Sequence, residues 1–81
     1  MNNLRVLLVE DETTLAMIIK DTLDAQGFEI TIAADGEEGL KLFKESKPDV
    51  VVTDVMMPKI DGFEMVRRIR KTEVITPVLF L

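Results

Sequence analysis

The sequence predicts an α/β domain in which helices cover both faces of a doubly wound parallel β-sheet. Short apolar runs alternate with longer stretches whose apolar residues recur every three or four positions, and only a few residues connect them. Such alternation is typical of strand-helix-strand units with right-handed crossovers. The chain has 81 residues, of which 47% are hydrophobic, enough for one small core. We therefore expect a single domain over residues 1–81.

Four segments have the composition of strands. Residues 4–9 and 49–53 are apolar almost throughout, which indicates strands that are covered on both faces. Residues 28–32 alternate between apolar and polar side chains and predict a half-buried strand at a sheet edge. A fourth strand is predicted over residues 77–81.

Three helices are predicted between the strands, over residues 13–26, 36–47 and 62–71. Gly27 is placed to end the first helix with a positive φ, and Pro48 cannot continue the second. An aspartate followed three residues later by a glutamate, the pattern of a capping box, opens the second and third helices (Asp35 with Glu38, Asp61 with Glu64). Helical spacing supports all three predictions: the first helix has Leu15, Ile18, Ile19, Thr22 and Leu23 at this spacing, and the second carries Leu40 and Phe43 on one face. In the third helix, Phe63, Val66 and Ile69 are expected to face inward.

The composition excludes several classes of site. The chain has no cysteine and no histidine, so it can form neither disulfides nor thiolate or imidazole metal sites. Any metal must be bound by oxygen, which favours a hard cation such as Mg²⁺. The formal net charge of −5 disfavours binding to nucleic acid or an anionic membrane. No apolar run is long enough to span a bilayer, and a cytoplasmic location is expected.

Acidic residues follow the first and third predicted strands. The first strand leads into Glu10-Asp11-Glu12 and the third into Asp54. If these strands are neighbours, their carboxylates converge at the carboxyl edge of the sheet, where open α/β sheets bind ligands. Repulsion among them would be relieved by a divalent cation. Solvated loop carboxylates are the alternative interpretation, and Glu12 is better explained as a helix-start residue. Asp54 favours a functional site because apolar residues flank it on both sides, and an uncompensated carboxylate is unfavourable there.

Two motifs carry a family resemblance. Val9-Glu10-Asp11-Glu12 and the nine residues Asp54-Val55-Met56-Met57-Pro58-Lys59-Ile60-Asp61-Gly62 resemble the acidic pair and the signature of response-regulator receiver domains. The resemblance implies a flavodoxin-like sheet with strand order 2-1-3-4. It also implies that the family's fifth strand and last two helices would follow the fourth strand, and they are missing from the 81 residues, which are expected to be a partial receiver domain.

The resemblance also implies roles for individual residues. Asp54 would accept a phosphoryl group from a sensor histidine kinase or phosphotransfer protein. Asp11, Asp54 and the backbone carbonyl of Met56 would bind Mg²⁺, and Glu10 would help to position the ion. The chain would act as a signalling module and not as an enzyme, with an output domain or effector protein as its further partner.

Receiver domains place a Ser or Thr after the fourth strand and a Lys after the fifth, and neither residue lies within these 81. The chain is therefore expected to bind Mg²⁺ weakly and to be poorly phosphorylated. An exposed fourth strand predicts homo-oligomers or strand exchange.

Two alternative functions remain at this stage. A Mg²⁺-dependent phosphatase with an aspartyl nucleophile usually has a second acid two residues after that nucleophile, where this chain has Met56. The second alternative is that the chain is a truncated fragment with only a folding or assembly role. A nucleotide or flavin site is disfavoured because the loop Glu10-Asp11-Glu12-Thr13 has no glycine and would repel phosphate.

Overall fold

The structure, a computed structural model, describes residues 3–81, so the first two residues of the predicted domain lie outside it. Strands and helices alternate along the chain: β1 (Arg5–Val9), α1 (Thr13–Ala25), β2 (Glu29–Ala33), α2 (Gly36–Ser46), β3 (Val50–Thr53), α3 (Gly62–Arg70) and β4 (Val78–Phe80). Every predicted element is present, and its bounds agree with the prediction to within one residue. No helix in the described part of the chain is long and apolar enough to cross a membrane.

The four strands form one parallel sheet in the order β2-β1-β3-β4, as predicted. The two strands that lead into acidic residues are therefore neighbours. Val9 at the end of β1 pairs with Thr53 at the end of β3. The next residues stay on the hydrogen-bond ladder, since the Glu10 amide donates to the Ala33 carbonyl at 3.0 Å and the Asp54 amide to the Val9 carbonyl at 3.0 Å. This register places both acids at the same edge of the sheet.

The main core lies between the sheet and the helices α2 and α3. Leu7, Val9 and Val51 project from the central strands and are fully buried against Met65 and Ile69 of α3. Leu40 and Phe43, which were predicted to share one face of α2, both pack against this cluster.

The predicted inward position of Phe63 is wrong, because its side chain is 59% exposed and lies against the Phe80 ring of β4, with centroids 4.9 Å apart. Met65 faces the sheet in its place. The inward positions of Ile69, which is buried, and of Val66, which packs against the core cluster, are confirmed. Phe63 is in the first turn of α3, beside the edge strand, where the sheet cannot cover it.

The opposite face of the sheet is covered only in part. α1 packs against β1 and β2, where Ala16 is its one buried residue among those described. Of the apolar residues predicted in α1, Leu15 and Ile18 are exposed, whereas Ile19 and Leu23 are half-buried and lie on the same side of the helix as Ala16. On this same face, beyond β1, Val52 is half-buried and Leu79 is exposed. An apolar strip therefore extends from α1 across β3 to β4.

Local hydrogen bonds explain where α1 ends and where α2 begins. Gly27 has a φ of 92°, and the Phe28 amide donates to the Leu23 carbonyl at 3.1 Å, which makes a Schellman-type end for α1. At the start of α2, Asp35 accepts the Glu38 amide at 2.8 Å. The Glu38 carboxylate accepts the Ala34 amide at 2.7 Å in return, so the predicted reciprocal cap is present, displaced by one residue.

The cap of α3 is only half of the predicted box. Asp61 accepts the Glu64 amide at 2.8 Å, as predicted. Glu64 does not reach back; its carboxylate accepts two hydrogen bonds from Arg67, at 2.9 and 2.8 Å, and one from Arg68, at 2.8 Å. Two guanidinium groups within one helical turn compete successfully for this carboxylate.

These ion pairs predict acid sensitivity. The hydrogen bonds from Arg67 and then Arg68 lower the pKa of Glu64 from 4.5 to about 2. Because the pKa is lower in the folded chain, the stabilisation is complete above the unfolded value of 4.5 and is lost as the pH falls towards 2. Urea midpoints measured from neutral pH to about pH 2 should fall less steeply for Glu64→Gln than for the wild type. Since the pairs are at the surface, high salt should shrink the difference, and parallel pH profiles would contradict the prediction.

Candidate metal and phosphoryl-acceptor site

Three of the acidic residues singled out in the sequence meet at the carboxyl edge of the sheet. One carboxylate oxygen from each of Glu10, Asp11 and Asp54 lies within 4.8 Å of the other two. The sheet order explains the cluster, because Glu10 and Asp54 leave the ends of adjacent paired strands. The three residues offer a set of oxygen donors around one small space.

Glu10 is the least solvated member of this carboxylate cluster. Only 3% of the residue is exposed. Its Oε2 accepts the Glu12 amide at 3.0 Å, whereas its buried Oε1 has no hydrogen-bond partner in the described structure. Burial raises the pKa of Glu10, the Glu12 amide lowers it, and the nearby Asp54 charge raises it further, with a net rise above 4.5. A buried carboxylate oxygen without a hydrogen-bond partner is unfavourable, and a cation bound here would coordinate this oxygen.

Asp54 is half-buried and is held by its neighbours on both sides. Its Oδ1 accepts the Val55 amide at 2.8 Å, and its backbone carbonyl accepts the Thr53 hydroxyl at 2.9 Å. Thr53 is fully buried, so this hydroxyl bond is shielded from water. The second carboxylate oxygen, Oδ2, makes no hydrogen bond in the described structure and stays available to a reactant or an ion.

No cationic side chain of the described residues compensates the cluster. Lys59, the cation nearest to Asp54 in sequence, is directed elsewhere: its Nζ lies 3.4 Å from Asp35 Oδ2 and 3.5 Å from Glu37 Oε1. Oxygen-only donors, an unpartnered buried oxygen and uncompensated negative charge together fit a hard divalent cation such as Mg²⁺. The cluster is therefore chemically suited to the metal that the sequence predicts.

Two other residues named in the sequence predictions, Glu12 and Met56, lie near this cluster in the chain. Glu12 is exposed and directly precedes α1, in agreement with its interpretation as a helix-start residue. The side chain of Met56 is 78% exposed, and the metal-binding role of its backbone carbonyl stays a prediction. Sequence reasoning missed the contacts of Lys59 and Ile60 with the start of α2, since their partners are about 24 residues away along the chain.

Comparisons with a protein-family model and with curated relatives agree on the family of this chain. The protein family described as the response regulator receiver domain matches residues 6–81. The transcriptional regulatory protein TrcR of Mycobacterium tuberculosis is 45% identical over 78 residues, which cover 96% of this chain and 30% of TrcR. The alkaline phosphatase synthesis transcriptional regulatory protein PhoP of Bacillus subtilis is 38% identical over 98% of this chain and 33% of PhoP. The chain thus spans about a third of the length of these curated relatives.

A solved structure agrees in fold. The chemotaxis response regulator CheY4 of Vibrio cholerae superimposes with a TM-score of 0.94 at 34% identity, covering 98% of this chain and 68% of CheY4. The flavodoxin-like order of the strands is therefore the order of a receiver fold, and the phosphatase alternative finds no support in these comparisons. The chain belongs to the response regulator receiver domain family of two-component systems.

Proposed function

We propose that Asp54 accepts a phosphoryl group and that Mg²⁺ is required for the transfer. A carboxylate oxygen of Asp54 attacks phosphorus, the bond from phosphorus to the donor nitrogen of a phosphohistidine breaks, and the phosphoryl group ends on Asp54 as an acyl phosphate. The kinase or phosphotransfer protein recovers its free histidine. The chain is consumed stoichiometrically in this step, so its role is that of a signalling module and not of a turnover enzyme.

The observation that carries this proposal is the convergence of Glu10, Asp11 and Asp54 within 4.8 Å. Asp54 is the member whose Oδ2 is free and whose Oδ1 is oriented by the Val55 amide, which suits a nucleophile that must present one oxygen. Glu10 is tied to the Glu12 amide and buried, which suits a positioning role. Asp11 is exposed and free to contribute an oxygen to the metal.

Bound Mg²⁺ would lower the repulsion between the acidic cluster and an anionic phosphoryl group. Asp11 and Asp54 would hold the ion directly, together with the backbone carbonyl of Met56. Glu10 would orient it, through water if not directly. No side-chain cation of the described residues can take over this electrostatic task, since Lys59 is engaged by Asp35 and Glu37.

Metal removal tests the proposal. Incubation with acetyl phosphate should add one phosphoryl group slowly in the presence of Mg²⁺ and should add none when the ion is chelated by EDTA. The rate should differ by about 100-fold or more, because the metal offsets charge on both reactants. Intact-mass spectrometry over time measures the incorporation, with urea-treated chain as the control for non-specific acylation or phosphorylation. Equal incorporation with and without EDTA would exclude the metal-dependent reaction.

The proposed signal passes to a protein outside this segment. The curated relatives named above are transcriptional regulatory proteins of which this chain matches about a third, so we propose an output domain or effector that controls transcription in the cytoplasm. The segment itself, with a formal net charge of −5, is not expected to bind nucleic acid.

Self-association through β4 is proposed for the isolated chain. β4 is an edge strand. Its residues Leu79 and Phe80, and Leu81 directly after it, are between 43% and 59% exposed. An exposed apolar edge is a template for pairing with a second copy. Light scattering should show a mass that rises with concentration, and Leu79→Lys should reduce this rise whereas Leu4→Lys, which changes another exposed leucine, should not. A monomer at all concentrations would contradict the proposal.

A further inference from the structure

We propose that the start of α2 positions the loop that follows Asp54, and that Gly36 and Lys59 are positioning residues for the metal site. This inference rests on the proposed function, because the loop from Val55 to Ile60 contains the Met56 carbonyl assigned to Mg²⁺. The loop joins β3 to α3. Its conformation decides where that carbonyl lies relative to the carboxylates of Asp11 and Asp54.

The loop is anchored at its α3 end by contacts of its own. The Gly62 amide donates to the Val55 carbonyl at 2.8 Å, and Asp61 caps α3. Between these points, Met57 packs against the core, whereas Met56 and Pro58 on either side of it are exposed and are not held by burial. A second anchor is needed to give the exposed part a single conformation.

That second anchor is a contact between the loop and α2. Ile60 packs so closely on Gly36 that a Cβ at position 36 would lie 2.5 Å from Ile60 Cγ1 and 2.6 Å from the Ile60 carbonyl oxygen. The carbonyl belongs to the backbone, which cannot rotate aside as a flexible side chain can. Position 36 therefore sets how near the loop can approach α2, and only glycine permits the observed approach.

Lys59 adds an ionic contact to the same anchor. Its ammonium group bridges Asp35, the cap of α2, and Glu37 in the first turn. The backbone of Lys59 has a φ of 72°, a left-handed conformation that is unfavourable for a non-glycine residue. The surrounding contacts must offset this cost. The strain lies three residues after the predicted metal-binding carbonyl, as expected where a loop is held for a functional reason.

The electrostatic role of Lys59 can be separated from its positioning role by the sign of the effect. Lys59 carries positive charge in an acidic region, so a purely electrostatic role would make Mg²⁺ bind more tightly when that charge is removed. A positioning role predicts weaker binding, because the loop carbonyl is no longer held. Measurement at about 0.15 M salt, where the Debye length is about 8 Å, limits the long-range electrostatic contribution.

The test is a Mg²⁺ titration of the isotopically labelled chain, followed by NMR amide shifts around the acidic cluster. Gly36→Ala should raise the dissociation constant about 10-fold, at the lower end of the range for residues that support metal ligands. Lys59→Gln should raise it about 3-fold, because the ion pairs that it removes are exposed to solvent. Lys59→Arg should bind almost as the wild type does, because it keeps the charge and the reach. Gly39→Ala is the matched control, since the atoms nearest to its new methyl are side-chain atoms of Met65 and Val9 and not the backbone of the loop.

The outcomes separate this inference from the proposed function. If the wild type shows no Mg²⁺-dependent shifts at Glu10, Asp11 or Asp54, both are overturned. If the wild type binds and Gly36→Ala and Lys59→Gln bind equally well, or Lys59→Gln binds more tightly, the positioning role alone is overturned. Thermal unfolding of each variant identifies general destabilisation: a loss of affinity in Gly39→Ala as large as in Gly36→Ala, at similar stability, would also overturn it.

Discussion

Replacing Asp54 with asparagine is expected to abolish phosphoryl uptake, with a loss of about 100-fold or more in the rate of incorporation from acetyl phosphate. Asparagine keeps the size of the side chain and an oxygen that can accept the Val55 amide, but its neutral amide is a poor nucleophile. Asp49→Asn is the matched control. Asp49 accepts the Arg5 amide at 2.8 Å, before the start of β3 and so at the opposite edge of the sheet. Intact-mass spectrometry should show normal incorporation for Asp49→Asn and none for Asp54→Asn.

The stability of the Asp54→Asn variant should show that its loss of phosphorylation is not caused by unfolding. Without a divalent cation, Asp54 repels Glu10 and helps to raise the pKa of that buried carboxyl. Asp54→Asn removes this repulsion, so in EDTA the variant should unfold at an equal or higher urea concentration than the wild type. With Mg²⁺, the wild type should gain stability by ligand binding and the variant should gain less. Phosphorylation of folded Asp54→Asn at the wild-type rate would show that another residue is the acceptor.

The sequence predicted the architecture well because its signals are local. Gly27, Pro48, Asp35 and Asp61 each end or begin a helix through interactions with residues a few positions away, and these are visible in the sequence itself. The strand order and the meeting of Glu10 with Asp54 required the family resemblance, because composition does not decide which strands are neighbours. Once that order is given, the acidic cluster follows from the pairing of β1 with β3.

The errors arose where tertiary packing decides between equivalent choices. In α3, Phe63 or Met65 can face the sheet together with Val66 and Ile69, and only the position of the helix against the sheet selects Met65. Glu64 could cap its helix or pair with arginines, and it does the latter. In these cases the sequence contains both possibilities, and the neighbours in space determine which is realised.

Shortening Leu7 to alanine should destabilise the chain by about 3 kcal/mol, within the range for buried leucines. An 81-residue domain is expected to have a total stability of about 4 to 12 kcal/mol, so this one change removes a large part of it. Leu7 is fully buried in the central strand β1, and its side chain belongs to the cluster formed with α3. Leu4→Ala is the matched control, because Leu4 lies just before the same strand and is 53% exposed. Its substitution should cost less than about 1 kcal/mol.

Urea denaturation of the two variants measures how much of the stability depends on the face covered by α2 and α3. That face has helices over the central strands, whereas the α1 face leaves Val52 and Leu79 without a covering helix in the described structure. If the helix-covered face supplies most of the folding free energy, Leu7→Ala should lower the midpoint sharply and leave the slope unchanged. A similar loss from Leu4→Ala would contradict the prediction that the internal core around Leu7 supplies most of the stability. Stability that comes from self-association depends on protein concentration, and for a dimer its free energy of unfolding falls by about 1.4 kcal/mol for each tenfold dilution. Repeating both measurements at a tenfold lower protein concentration therefore distinguishes this contribution from that of the internal core.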